Sequence, residues 1–179
     1  MPHRWRIAMV LGGVLLAAAV IASAAAENTG RIRGLVGLVG PGGRFYPGDQ
    51  VSLLLVTRPL TVPSADGVSR TAGDARIEAL NRAHMTFFIA LRQALGDPGF
   101  RQADAVSSRR GTFDFAAVPP GRFWIVVSFP ALIHGEKAAW QVPVQVRAGK
   151  NTLISLDNRN HLFPLLCASC PAGDFARGH

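Results

Sequence analysis

The stretch from Gly111 to Val127 constrains the fold of this chain more than any other. Phe113 and Phe115 alternate with Thr112 and Asp114. A period of two puts the rings on one face of a strand and the polar groups on the other. Further on, Phe123, Ile125, Val127 and Phe129 share a face, while Trp124, Val126 and Ser128 share the opposite one. That second strand is expected to be covered on both sides. Between the two lies Pro119-Pro120-Gly121. Proline presets φ near −65° at the first central turn position, and glycine tolerates φ > 0 at the second. The local reading is a short, hairpin-like connection within a β-sandwich, with Phe113, Phe115, Phe123 and Ile125 as core and the turn setting their register.

The first residues indicate the compartment. Arg4 and Arg6 precede an uncharged apolar stretch, Ile7 to Ile21, and then the small residues Ala22-Ser23-Ala24-Ala25-Ala26. This order reads as a secretory signal peptide over 1–26, with Glu27 as the first mature residue. The alternative is an uncleaved N-terminal anchor, although the apolar stretch is short for a span of about 20 residues. Membrane contact would then come through that segment. The formal charge of +8 falls to +6 on removal of 1–26, because only Arg4 and Arg6 leave. A basic balance favours anionic surfaces or simply keeps a secreted domain soluble. The basic residues are scattered, with only Arg109 and Arg110 adjacent, so no aromatic-interleaved stripe speaks for nucleic acid.

Along the mature chain, Gly30 to Val39 reads as a first strand, broken by Pro41-Gly42-Gly43. Phe45 to Asp49 reads as a turn, and Val51 to Val56 as a strand buried on both faces. Arg58 to Gly73 reads as a loop. Ile77, Leu80, His84, Phe87, Phe88, Leu91 and Leu95 recur at steps of three or four, which predicts an amphipathic helix over 74–95. Asp74 is its expected N-cap and Gly96-Asp97-Pro98 its stop. The stripe packs on the sandwich or docks a partner or membrane, and His84 reads as a packed histidine. Phe100 to Arg110 reads as a polar connector and Pro130 to Ala138 as a loop. Trp140, Val142, Val144 and Val146 mark a strand in which Pro143 cannot donate to a ladder, which predicts an edge. A turn at 148–151 and a last strand carrying Thr152, Ile154 and Leu156 follow.

The tail from His161 to His179 contains the pair Cys167-x-x-Cys170. In an oxidising compartment the pair forms a local disulfide, whose small loop limits its stabilising effect. A redox-active pair is a second reading, but the β-α-β setting of thioredoxin-like motifs is missing. A soft metal held by Cys167, Cys170, His161 and His179 is the third. No cofactor is expected otherwise. Ser107, Ser108, His134 and Glu136 are residue types found in hydrolases, but no Gly-x-Ser-x-Gly elbow accompanies them. Asp157, Asn158 and Asn160 offer too few carboxylates for a calcium loop. The glycines from Gly34 to Gly43 lack the lysine of a phosphate loop.

Three segments carry a family resemblance. Gly30-x-Ile32-x-Gly34-x-Val36 resembles the opening strand of carboxypeptidase regulatory-like domains, which are transthyretin-like (prealbumin-like) β-sandwiches. Gly111-x-Phe113-x-Phe115-x-x-Val118-Pro119-Pro120-Gly121-x-Phe123-x-Ile125 resembles their most recognisable motif, and Val144-x-Val146-x-x-Gly149-x-x-Thr152 their closing hairpin. The resemblance implies an antiparallel sandwich over 27–160, interrupted by an inserted helix, with an irregular tail over 161–179. It implies no enzymatic activity, and no catalytic residue carries over.

These features converge on a mainly β, extracytoplasmic (periplasmic or secreted), non-catalytic binding domain. Its partner would be an envelope or cell-surface protein, or a glycan. Phe45 and Tyr46 are the candidate contact residues, together with the helix. The competing reading is a small redox or metal-handling protein built on Cys167 and Cys170.

Overall fold

The computed structural model describes residues 28–63 and 74–167; the leading segment 1–27, most of the long loop and the residues after 167 lie outside them. The described residues are mainly β with one α-helix, and two four-stranded sheets pack as a sandwich. In the first sheet, β1 (Gly30–Val39) is central. It pairs in parallel with β10 (Asn151–Leu156), and antiparallel with β5 (Thr112–Val118) and then with β2 (Phe45–Pro47). The second sheet is antiparallel, in the order β4 (Arg101–Val106), β3 (Ser52–Val56), β6 (Gly121–Val127), β9 (Gln141–Val146). A third, small sheet joins β7 (Ala131–Ile133), β8 (Glu136–Ala138) and β11 (Leu166–Cys167).

The inward faces follow the period of two. Ile32, Val36, Phe113 and Phe115 from one sheet are buried with Leu53, Leu55, Phe123, Ile125 and Val127 from the other. Burial of each such side chain contributes about 2–3 kcal/mol relative to exposure. Phe113 and Phe115 meet edge to face, 5.9 Å apart. Gly34 stands opposite Phe113, and a Cβ there would lie 2.2 Å from Phe113 Cζ. The ring therefore needs a glycine beneath it.

The turn around Pro119-Pro120 does something other than the expected hairpin. Val118 pairs with Gly30 in the first sheet, whereas Gly121 pairs with Val146 in the second. The turn carries the chain from one sheet to the other, and the register of each strand is set by its own long-range partners. The closing hairpin separates likewise, since β9 pairs with β6 and β10 with β1. Pro143 sits on β9 at the edge of its sheet, as a residue without an N–H requires.

Four further local readings are corrected. Phe45–Pro47 is a strand, because the chain folds back on the end of β1. The polar connector is β4, with Phe100 fully buried before it. The loop at 130–138 is the β7–β8 hairpin, turned by His134 (φ 50°) and Gly135 (φ 81°). Two successive positive-φ residues match the twist of a tight hairpin. Phe129, placed by the alternation on the face of Phe123, Ile125 and Val127, is 63% exposed.

The helix α1 spans Asp74–Ala94, with Asp74 inside its first turn rather than as a cap. Leu80, Ala83, His84, Phe87 and Leu91 form its buried face. It lies over the outward face of the second sheet, where Leu54 and Val126 are buried. That covers β3 and β6 on both sides, as their unbroken apolar runs require. The exposed face carries a Glu78–Arg82 pair one turn apart. The chain then stops at Gly96-Asp97-Pro98. There the Gly99 N–H, and next Arg58, hold the Asp97 carboxyl below its ordinary pKa.

Candidate functional site

A cleft of about 570 Å³ opens where β1 ends, between the β7–β8 turn, the first turn of α1 and the segment after β10. Tyr46 enters it from β2 and His134 from the hairpin turn. Their rings stack at 3.8 Å with 12° between planes. The Arg44 guanidinium lies 5.3 Å from the Tyr46 centroid and adds a cation–π contact. Arg76 comes from α1, Glu136 from β8, and Asn158 and His161 from the segment after β10.

That last segment is held by a hydrogen-bonded scaffold. The buried Trp140 Nε1–H donates to the Asp157 carbonyl at 3.0 Å, and residues 140 and 161 form an isolated bridge. The Asp157 carboxylate accepts from Ser155 Oγ, from the Arg159 backbone N–H at 2.9 Å, and from the Arg159 guanidinium. The Arg159 guanidinium, foremost among these donors, holds the Asp157 carboxyl down to about 2. Asn158 extends the sheet with its side chain. Its Oδ1 accepts from the Val39 N–H at 2.6 Å and its Nδ2 donates to the Val39 carbonyl at 3.1 Å.

Burial works against charge in this cleft. It pushes the Glu136 carboxyl up and, as the largest of several effects, the His161 imidazole down. His161 Nδ1 is buried with no hydrogen-bond partner among the described residues.

The sequence candidates separate. Tyr46 lines the cleft, whereas Phe45 is on the other face of β2 and folds over Gly37, where a Cβ would lie 2.3 Å from its Cζ. His161 lines the cleft too. Cys167 pairs its backbone with Glu136 on β8, and Cys170 and His179 lie outside the described residues. Among the described residues no cluster of three or more His, Cys, Asp or Glu side chains could hold a metal ion. Of the hydrolase-type residues, His134 and Glu136 share the cleft while the two serines stand apart. Ser107 is buried, accepting from the Val51 N–H at 2.8 Å and donating to the Gly48 carbonyl at 2.6 Å. Ser108 is bonded to Thr112. Both serines line a different cleft from His134 and Glu136. Arg76 and Asn158 carried no sequence signal as contact residues. The His134-Gly135 dipeptide did carry one, as a hairpin turn.

No family model matches the chain, and no curated protein matches it. Solved structures match it at low identity. A candidate carbohydrate binding protein from Pseudomonas aeruginosa is 15% identical with a TM-score of 0.42, over 74% of this chain and 90% of that one. The minor pilin GBS52 of Streptococcus agalactiae is 12% identical with a TM-score of 0.44, over 82% of this chain and 49% of its own length. The pilus backbone protein RrgB of Streptococcus pneumoniae is 12% identical with a TM-score of 0.34, over 73% of this chain and 41% of its own. No described helix is long and apolar enough to cross a membrane.

Proposed function

We propose that this chain is a non-catalytic extracytoplasmic binding domain, and that the cleft at the end of its sandwich takes a glycan. The observation that carries the reading is the Tyr46–His134 ring stack, set beside Arg76, Asn158 and His161 in one cleft. A sugar presents apolar C–H faces and a fringe of hydroxyl groups. Aromatic surface next to a few oriented polar groups complements both. The upward shift of Glu136 and the downward shift of His161 favour their neutral forms, which suits a ligand of hydroxyls rather than charges. The charged, apolar, small-residue order of residues 1–26 supports the location.

Calorimetric titration of the intact chain against envelope-derived oligosaccharides tests this. Tyr46→Leu and His134→Asn should each weaken binding at least about tenfold, or about 1.4 kcal/mol. Asparagine tolerates the positive φ at 134, so the hairpin turn is kept. Failure to bind any glycan, with capture of an envelope protein lost in the same variants, would transfer the cleft to a protein partner.

A further inference from the structure

A second groove runs along α1. His84 is 3% exposed, and neither ring nitrogen has a hydrogen-bond partner among the described residues. An imidazole carries at least one N–H at any accessible pH, and when neutral it also offers an acceptor. Buried polar groups in folded proteins are nearly always partnered. His84 lines a groove of about 710 Å³ between α1 and the outward face of the second sheet. Small-ligand sites are of this size.

The groove lining is of two chemical kinds. Met85, Ile89 and Phe129 line it and are 59%, 51% and 63% exposed. Apolar side chains gathered in this way mark a place that something covers. The lining is also cationic: Arg92, Arg101 and Lys137 stand against a single carboxylate, Asp104, which Arg101 engages at 3.5 Å. Lys137 is steadied by donating to Asn81 Oδ1 at 3.0 Å, near enough to His84 for its charge to oppose a second proton on the ring.

We propose that this groove binds a single-chain amphiphile with a carboxylate head, of the fatty-acid class. The alkyl chain lies along Met85, Ile89 and Phe129, and the head accepts from Lys137 and, once the buried ring turns toward the groove, from the His84 N–H. A carboxylate is acceptor-only and so satisfies both donors at once.

The test uses the full chain and sodium dodecanoate below its micellar concentration, followed by titration calorimetry and by nitrogen-15 NMR of the histidine side chains. Saturable one-to-one binding is expected, with a shift of the His84 resonances. Dodecanol, which lacks the charge, should bind at least tenfold more weakly, as should dodecanoate to Lys137→Gln and Ile89→Asp. Ile89 is exposed and Lys137 makes only an exposed hydrogen bond, so thermal unfolding should stay near that of the parent. No binding, equal binding of dodecanol, or His84 resonances that do not move overturns the proposal. Retention on phosphatidylglycerol vesicles without uptake of dodecanoate overturns it in favour of a membrane surface.

Discussion

Asp157 and His84 are both buried titratable groups with depressed pKa values, and they are depressed for opposite reasons. Asp157 is 7% exposed and receives donors from Ser155 and Arg159, which favour its charged form and hold it at about 2. The His84 ring has no hydrogen bond among the described residues. Desolvation, and secondarily Lys137, disfavour its charged form and bring it down to about 4. A shift in one direction therefore means a satisfied anion in one place and an orphaned imidazole in the other. The first stabilises the fold at neutral pH; the second makes it vulnerable to acid.

The signs follow from proton linkage. Unfolded His84 binds its proton near pH 6.5, whereas the folded ring resists until about 4. Stability falls as pH drops through that window. Unfolded Asp157 titrates near 3.8 and the folded group near 2, so its contribution is lost only below 3.8. Acid unfolding should therefore come in two separable windows.

Replacing the histidine tests the larger effect. His84→Leu should remove about 3 kcal/mol of stability loss between pH 6.5 and 4, since each pKa unit is 1.36 kcal/mol. Urea titrations at pH 7 and pH 4.5 measure it, and an unchanged pH slope would break the contrast. Next is Ser107, a satisfied neutral group. Ser107→Ala leaves the Val51 N–H and the Gly48 carbonyl unpaired and should cost about 2 kcal/mol at every pH. A pH-dependent loss would show that hydrogen-bond satisfaction is not what separates the two classes. Asp157→Asn should cost about 1 kcal/mol at neutral pH, discounted because the partner Arg159 is exposed and screened. It should flatten only the window from pH 3.8 to 2, as read by near-ultraviolet circular dichroism. The smallest change belongs to the exposed pairing of Asp114 with Arg31 and Arg33 on the outer face of the first sheet. Asp114→Asn should shift the melting temperature least of the four, and high salt should abolish even that shift.

Much of the scaffold was legible from periodicity. β1, β3, β9 and α1 lie close to where the alternation and the three-four spacing place them, because each buries a strong apolar stripe. β4 was not legible, because it turns only the small Ala103 and Ala105 inward between polar neighbours. β7 and β8 are three residues each, too short for a pattern, and only His134-Gly135 announced their turn. At the cleft, Tyr46 stood out as a loop aromatic, but its stack on His134 joins residues far apart in sequence. The opposite fates of Asp157 and His84 were equally hidden. A local tetrad, Asp157 to Asn160, closes on itself, while His84 looks like any polar residue on a packed stripe.

By itself, then, the sequence determined which residues turn inward, where the helix runs and where the chain must bend. Those properties depend on the alternation of side chains along a backbone and on the fixed φ of proline. Only the tertiary structure decided that Pro119-Pro120 joins two sheets rather than two strands of one, and that Tyr46 meets His134. It also decided that the His84 ring is buried beside a groove without a hydrogen-bond partner among the described residues. These outcomes rest on pairings across long sequence separations, whose free energy is won only when the whole sandwich closes.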